Sequence, residues 1–336
     1  MKIKNYFVSI IISFLLVPLC ACAPGSNNTP YSKSGLYYDT IISVTIYGAE
    51  KARADAILDE CMNVCEHYQN LFDPDIQTSD IAKINSSSPN PVKVDPDTVK
   101  CLQEALRYSV ISNGKFDITI KPVSDLWDFH EDSHHIPSSE QLKNAVDLVD
   151  YRKITIDPEN STVSLGGGAS VELGAAAKGF IAGKIKDLLA EKSITGAIIN
   201  IGGDISLIGA KPDGSDFNIG INDPLSEGKT AMALALRDTS VATSGTYERC
   251  FTSGGQKYHH ILDTNTGYPV DTDVLSVTVI TKDPLDADCL CTLCVIEGAD
   301  KAVDIINDIP DTEAVIIRND GVKITSAGAG SYIKQQ

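Results

Sequence analysis

A short segment near the C-terminus carries residue types that could hold a divalent cation. Asp288 and Thr292 lie four positions apart in the run ADCLCT. If the run is helical, their oxygens lie on the same helix face. Mg²⁺ prefers a few hard protein oxygens, completed by water and substrate phosphate. The alternative, which the spacing alone favours, is an aspartate stabilised by the dipole at a helix N-terminus, with the threonine as filler.

His260 is the candidate for proton transfer. It precedes Asp263 and a Gly-Tyr-Pro turn. A histidine held beside a turn and near a carboxylate can act as a general base, because its pKa lies close to neutral pH. The alternative is a buried histidine that hydrogen-bonds to the backbone, and the residue on its own favours this second interpretation.

Other polar residues set among glycines could bind a heterocyclic phosphate ligand. Phe116, Asp117 and Trp127 could supply an aromatic wall and a hydrogen-bond acceptor, or a core with a capping aspartate. Lys178, in the run GAAAKG, could contact phosphate or simply begin a helix. The pair of glycines in residues 200–204 predicts a tight turn. Walker A, dinucleotide GxGxxG, GxSxG and HExxH signatures are missing from the sequence.

The N-terminus predicts the compartment. Lys2 and Lys4 precede an apolar run over residues 7–19, which is too short for a spanning helix and is typical of a signal peptide. The following LCAC resembles a bacterial lipobox. We therefore predict a signal peptide over 1–21, lipid on Cys22, a flexible tether over 22–34 and one domain over 35–336 in an extracytoplasmic protein anchored to the cell membrane. The alternative is an ordinary signal peptide cut near Ala21 or Ala23.

Charge and cysteine content narrow the function classes. The formal net charge of −17 argues against a nucleic-acid partner and against a polybasic membrane contact. An acidic protein that handles a phosphate ligand needs local positive charge, and a divalent metal is one source. Seven cysteines follow the first two, an odd number that cannot form a full disulfide framework. The CxCxxC run starting at Cys289 could suggest a metal cluster, but we favour buried, apolar thiols.

The hydrophobic pattern predicts an α+β protein rather than a regular βαβ alternation. Predicted strands cover 38–47, 153–157, 162–165, 197–201, 206–208, 218–221, 232–236, 277–281, 314–317 and 322–324. Predicted helices cover 50–71, 98–113, 179–191, 287–296 and 299–307.

Taken in order, these segments resemble the ApbE-type FAD:protein FMN transferases. The similarity rests on eight blocks: Asp39-Thr40, 78–85, Phe116 to Trp127, 172–183, 200–204, 244–249, 258–269 and 287–292. The resemblance implies an ApbE-like fold of mixed β-sheets with packed helices and an active site in a cleft between lobes. It also implies an enzyme that splits FAD with Mg²⁺ and attaches FMN through a phosphoester to a Thr or Ser of an extracytoplasmic acceptor protein.

The resemblance assigns residues position by position. It implies that Mg²⁺ is held by the Ala175 main-chain oxygen, Asp288 and Thr292, and that His260 is the base. It places FAD contacts at Tyr38, Asp75, Lys115, Phe116, Asp117, Glu172, Lys178 and Ile261.

Several positions depart from the family pattern. Tyr38 stands where many members have Met, and Asp75 where an aromatic residue often lies. Thr246 replaces a common Asp, and Gly183 replaces the usual Asp after the KG pair. Two alternatives therefore stay open: an FAD pyrophosphatase that uses water as the nucleophile, and a non-catalytic flavin-binding lipoprotein.

Overall fold

The computed structural model describes residues 29–129 and 134–334. The predicted signal peptide, Cys22 and most of the predicted tether lie outside the described residues. Within the described ranges, no helix is both long and apolar enough to cross a bilayer.

The described strands and helices alternate irregularly along the chain. The strands are β1 (Tyr31–Tyr37), β2 (Thr40–Ile46), β3 (Val92–Lys93), β4 (Ile154–Asp157), β5 (Thr162–Leu165), β6 (Gly196–Ile201), β7 (Asp204–Gly209), β8 (Phe217–Asn222), β9 (Thr230–Leu236), β10 (Ser240–Gly245), β11 (Cys250–Ser253), β12 (Gln256–His259), β13 (Val274–Thr281), β14 (Glu313–Arg318) and β15 (Lys323–Thr325). The helices are α1 (Lys51–Phe72), α2 (Asp80–Ser87), α3 (Pro96–Ile111), α4 (Lys121–Ser124), α5 (Ser139–Val146), α6 (Ala177–Glu191), α7 (Pro284–Glu297) and α8 (Ala299–Asn307). The mixture is α+β, as predicted.

An eight-stranded antiparallel sheet forms the centre of the molecule, in the order β1-β2-β6-β7-β10-β13-β14-β15. Every residue of β13 is buried, because this strand lies inside the sheet and both of its faces are covered. In β2, Ile42, Val44 and Ile46 alternate toward the main core, as the period-two pattern predicts. The β8–β9 hairpin packs with a second core on the opposite face of the sheet.

Helices α1, α6 and α7 cover the other face of the sheet and share the main core. The close approach of α6 to α7 depends on Gly179. A Cβ atom at this position would lie 2.4 Å from the Pro284 carbonyl oxygen and 2.5 Å from the Leu285 Cα atom. Only glycine lets the first turn of α6 reach α7 at this distance.

A smaller group of elements packs against the main body and forms the aromatic lobe. Its core consists of Val123, Trp127, Leu142, Ala145, Phe251, Tyr258 and Leu262. Trp127 is buried there, with its indole N–H donating to the Gly267 carbonyl oxygen at 2.8 Å. It is therefore a core side chain of the lobe, not the free aromatic wall that the sequence suggested.

Most predicted elements are confirmed, but several were missed or misplaced. Strand β1 begins at Tyr31, so the folded domain starts inside the range 22–34 that was predicted as a tether. Helix α7 begins at Pro284 rather than Ala287, because Asp283 caps it by accepting from the Leu285 and Asp286 N–H groups. The missed elements are β1, β3, β10, β11, β12, α2, α4 and α5.

The cysteines behave as buried apolar residues within the described ranges. All seven are free thiols, and six of them are buried. No group of three or more His, Cys, Asp or Glu side chains in residues 29–129 and 134–334 is arranged to hold a metal ion.

Candidate active site

Lys178 lies at the centre of the candidate site, in the first turn of α6. Its ammonium nitrogen is 2.6 Å from Asp288 Oδ1 and 2.9 Å from Asp204 Oδ2. Burial alone would lower the pKa of Lys178, but the two carboxylates outweigh it and raise the pKa above its ordinary value. The lysine therefore stays charged at neutral pH and bridges two carboxylates from different parts of the chain.

Asp288 is oriented by the packing of α7 against α6. It is 2% exposed, and its Oδ2 atom accepts the Gly179 N–H at 3.0 Å. The Pro284 start of α7 and the absence of a side chain at Gly179 bring the second turn of α7 onto the beginning of α6. Asp288 is thus held by a main-chain donor as well as by Lys178.

The predicted metal ligands come from two stretches that the fold brings together. Thr292 follows Asp288 by one helical turn on α7. The Ala175 carbonyl oxygen, just before α6, accepts the Cys289 thiol at 3.4 Å. This contact places the Ala175 carbonyl beside α7, at the residue that follows Asp288.

Two acidic residues of the site were missed by the sequence analysis. Asp204 follows the Gly202-Gly203 turn, where both glycines have positive φ angles of 61° and 104°. Its Oδ1 atom accepts the Thr243 N–H at 3.0 Å, which fixes it at the end of β10. Burial raises the pKa of Asp204, and Asp288 adds to the rise while Lys178 opposes it. The glycine pair before Asp204 was recognised in the sequence, but it was explained by a tight turn, so Asp204 was given no role.

Glu248 is the second missed residue and follows β10. Burial raises its pKa to about 7, and the negative charge of Asp204 adds to the rise. Together, Asp204, Glu248 and Asp288 form what we call the acidic cluster around Lys178. The signal for Glu248 was the run SGTYER at 244–249, one of the blocks on which the family resemblance rests, but its glutamate was given no role.

His260 lies directly after β12 and borders the same cluster. Its backbone N–H donates to the Arg249 carbonyl oxygen at 3.1 Å, and its Nδ1 atom is buried without a hydrogen-bond partner among the described residues. Burial lowers the pKa of His260 to about 4, and the positive charges of Arg249 and Lys178 contribute. The predicted carboxylate neighbour, Asp263, instead accepts the Asn265 and Thr266 N–H groups of its own turn.

Three segments of the predicted flavin-binding set converge beside the aromatic lobe. The Glu172 N–H donates to the Ile118 carbonyl oxygen at 2.9 Å, and the Thr264 hydroxyl donates to the Gly114 carbonyl oxygen at 2.9 Å. These bonds join the segments containing residues 114–118, 172 and 261–264. Ile261 itself is buried, at 5% exposure.

The side chains of this set differ in what they can offer a ligand. Lys115 is half-exposed and forms an ion pair with Glu297 at 2.6 Å. Phe116 is buried beside Tyr108, with ring centroids 6.0 Å apart, so its side chain belongs to the main core. Glu172 accepts the Ser124 hydroxyl, and burial raises its pKa.

The Asp117 carboxylate accepts hydrogen bonds from neighbouring parts of the protein. It accepts the Thr119 N–H and hydroxyl at 2.8 and 2.7 Å and the Tyr151 N–H at 2.8 Å. Burial raises its pKa, although these hydrogen bonds oppose the shift. Both carboxylate oxygens of Asp117 therefore have donors within the protein.

Tyr38 and Asp75 lie at the remaining predicted flavin positions. Tyr38 has a φ angle of 52° in the β1–β2 turn, and its buried hydroxyl has no hydrogen-bond partner within the described part of the chain. Asp75 is exposed, and its N–H donates to Asp73 Oδ1 at 2.9 Å.

A cavity of about 490 Å³ lies between α1 and α6. It is lined by residues outside the predicted flavin-binding set, including Glu60, His67 and Tyr68.

Known proteins are similar to this chain in both fold and sequence. The ApbE protein of Thermotoga maritima superposes with a TM-score of 0.84 at 27% identity, covering 91% of this chain and 100% of that one. A flavin transferase ApbE from Vibrio cholerae superposes with a TM-score of 0.80 at 24% identity, over 90% and 99% of the two chains, which supports the fold alone. The architecture is therefore the ApbE-like fold that the sequence predicted.

Sequence relatives identify the family. The ApbE family model matches residues 38–316. The FAD:protein FMN transferase of Treponema pallidum is 32% identical over 94% of this chain and 93% of the relative. The protein of the same name from Klebsiella pneumoniae is 30% identical over 87% and 90%. The chain belongs to the ApbE family.

Proposed function

We propose that this ApbE-family member is an FAD:protein FMN transferase that needs Mg²⁺ and acts on an extracytoplasmic acceptor protein. In this reaction, an acceptor Thr or Ser oxygen bonds to the FMN phosphorus, and the bond from that phosphorus to the bridging oxygen breaks. AMP leaves with the bridging oxygen. The observation that carries the proposal is the meeting of two stretches of the chain, since Lys178 contacts Asp288 and the Ala175 carbonyl accepts from the neighbouring Cys289.

The donor set at this point fits Mg²⁺. Asp288, the Thr292 hydroxyl and the Ala175 carbonyl supply hard oxygens, which magnesium prefers. The acidic cluster also contains three carboxyl groups around one ammonium. A divalent cation would balance this excess of buried negative charge, since an unpaired buried carboxylate is costly. When bound, the ion would neutralise charge on the transferring phosphoryl oxygens and on the leaving AMP.

His260 is the residue proposed to accept the proton of the acceptor hydroxyl. Its lowered pKa keeps the imidazole neutral at pH 7, so that a ring nitrogen is available as an acceptor. The position of His260 beside Arg249 and Lys178 places it among positive charges that would also face a diphosphate.

Mass spectrometry of an acceptor protein tests the proposal. The probe is the apo form of a domain that normally carries FMN esterified to threonine, incubated with the full chain, FAD and Mg²⁺. We expect the acceptor to gain the mass of one FMN less one water, with AMP appearing in equal amount. Asp288→Ala is expected to abolish the gain, because it removes a proposed ligand and leaves Lys178 paired with Asp204 alone.

The same experiment separates the alternatives. FMN and AMP free in solution, with an unmodified acceptor, would identify an FAD pyrophosphatase. FAD that remains intact in the presence of Mg²⁺ and acceptor would identify a flavin-binding protein without catalysis. Either result would refute the transferase.

The proposed location is the outer side of the cell membrane, through lipid on Cys22. Because β1 begins at Tyr31, the chain between Cys22 and the fold is shorter than predicted and spans at most ~30 Å.

A further inference from the structure

The ammonium group of Lys178 occupies the position where a cation is required by the proposed function. It contacts Asp288 Oδ1 at 2.6 Å, and Asp288 is the only carboxylate among the proposed metal ligands. A buried carboxylate oxygen paired to an ammonium cannot present the same lone pair to a metal. Lys178 and a metal ion therefore compete for Asp288 Oδ1.

Asp204 offers the ammonium a second carboxylate. Its Oδ2 atom is buried and has no hydrogen-bond donor among the described residues, although Lys178 Nζ lies 2.9 Å away as an ion pair. Its other oxygen is fixed by the Thr243 N–H. The ammonium can therefore leave Asp288 and complete a hydrogen bond to Asp204 by a small rotation of its own side chain, without movement of that carboxylate.

Asp288 also keeps its orientation when Lys178 moves away. The Gly179 N–H holds Asp288 Oδ2 at 3.0 Å, and this main-chain donor is fixed by the contact between α6 and α7. The carboxylate would then expose Oδ1 toward the Ala175 carbonyl and Thr292. The site thus contains one mobile charge between two immobile carboxylates.

We propose that Lys178 is a displaceable counter-ion, which bridges Asp288 and Asp204 in the metal-free protein and pairs with Asp204 alone when Mg²⁺ binds. Asp204 is then a positioning residue, which keeps the ammonium inside the site and directed at the diphosphate. This inference rests on the proposed metal site. It adds that the ammonium group of Lys178 limits the affinity of the site for Mg²⁺.

Metal affinity measured without FAD tests the competition. If Lys178 occupies Asp288 in more than nine-tenths of the molecules, removing it tightens apparent Mg²⁺ binding about tenfold, because apparent affinity scales with the fraction of free sites. We expect Lys178→Met to tighten the Kd for Mg²⁺ by about this factor in calorimetry of the full chain, while FAD cleavage slows. Lys184→Met is the matched control, since Lys184 lies on the same helix and pairs with Asp97. It should leave the Kd unchanged.

A structure of the wild-type protein with Mg²⁺ tests the movement and does not depend on the variant folding. We expect Lys178 Nζ to lie more than ~4 Å from Asp288 Oδ1, beyond an ion-pair contact, and to donate to Asp204 Oδ2. An ammonium still bound to Asp288 beside the metal would overturn the inference, as would a Lys178→Met Kd that is unchanged or weaker. These results would leave the proposed function standing. A wild-type protein that binds no Mg²⁺ would overturn both.

Discussion

Gly179→Ala tests whether the contact between α6 and α7 builds the site. The new Cβ atom would lie 2.4 Å from the Pro284 carbonyl oxygen and 2.5 Å from the Leu285 Cα atom. Real Cβ contacts with backbone atoms require about 3.4 Å or more, so the helices must separate by roughly 1 Å. The neighbouring atoms are backbone, so no side-chain rotation can relieve the overlap.

The expected cost combines two opposing effects. Overpacking of this kind destabilises by about 1–3 kcal/mol, while replacing a helical glycine by alanine returns about 1 kcal/mol. We therefore expect a net loss of about 0–2 kcal/mol and a fall in Tm of up to roughly 3 °C for a chain of this size. Function should suffer more than stability, because the Gly179 N–H bond to Asp288 and the Lys178 contact both cross the displaced interface.

Gly183→Ala is the matched control on the same helix. Its Cβ atom would meet only Pro284 Cγ, at 3.7 Å, which is an ordinary van der Waals contact. This variant should be as stable as the wild type or more stable by up to about 1 kcal/mol. The assays are thermal unfolding, calorimetric Mg²⁺ binding and FMN transfer. If the two variants lose the same amount of metal affinity, the close approach at Gly179 does not position Asp288 and the reasoning is wrong.

Three further predictions concern the base, the Ala175 carbonyl and the anchor. With a pKa of about 4, His260 stays about 97% neutral at pH 5.5, whereas an ordinary histidine of pKa 6.5 is about 10% neutral. The transfer rate should therefore fall on the acid side with a midpoint near pH 4. A wild-type midpoint near pH 6.5 would contradict this prediction. The same lowered pKa means that the unfolded chain binds more protons between pH 4 and 6.5. His260 should therefore add about 3 kcal/mol of stability as the pH rises across that window. His260→Ala should remove this share in pH-dependent unfolding and leave the share of His259, whose pKa burial also lowers to about 4. Cys289→Ala should weaken Mg²⁺ binding by up to about tenfold, because the Ala175 carbonyl loses the thiol contact that orients it while its second lone pair is the one left for a metal. Cys291→Ala, which removes a 3.0 Å contact to the Ala242 carbonyl instead, should leave calorimetric Mg²⁺ binding unchanged, and equal losses would show that Cys289 acts only through packing. Cys22→Ala should prevent palmitate labelling and release the protein from the membrane fraction, and continued membrane labelling would exclude Cys22 as the lipid site.

Periodic segments with clear ends could be predicted from the sequence. Short segments, and strands without a clear apolar alternation, could not. Helix α8 was predicted to the residue because its apolar stripe ends at clear boundaries. Strand β10 was missed, although the Thr243 N–H of this inner strand holds Asp204, since its sequence SVATSG contains three polar residues and a glycine. Strand β1 was missed because its mostly exposed edge position gives it the composition of a tether.

The proposed metal ligands could be named from the family resemblance, whereas the charged groups around Lys178 could not all be recognised in the sequence. Asp288 and Thr292 share a helix face, which sequence spacing shows directly. Asp204 and Glu248 lie far from them along the chain, and only the strand order brings β7 and β10 together. Long-range pairing of this kind cannot be derived from one sequence by periodicity, so the charge balance around Lys178 became visible only in the fold.

The antiparallel register explains why the site lies at one end of the sheet. Ile201 pairs with Asp204 across the β6–β7 turn, and Thr243 near the end of β10 donates to that aspartate. The next residues of the chain after β10 carry Glu248 and Arg249, and the hairpin that follows returns His260 to Arg249. Polar side chains from the β6–β7 turn, the segment after β10 and the residue after β12 therefore converge beside the start of α6 and the second turn of α7. A chain with a net charge of −17 can accept a diphosphate there because Lys178, Arg249 and a divalent cation would concentrate positive charge at this single point.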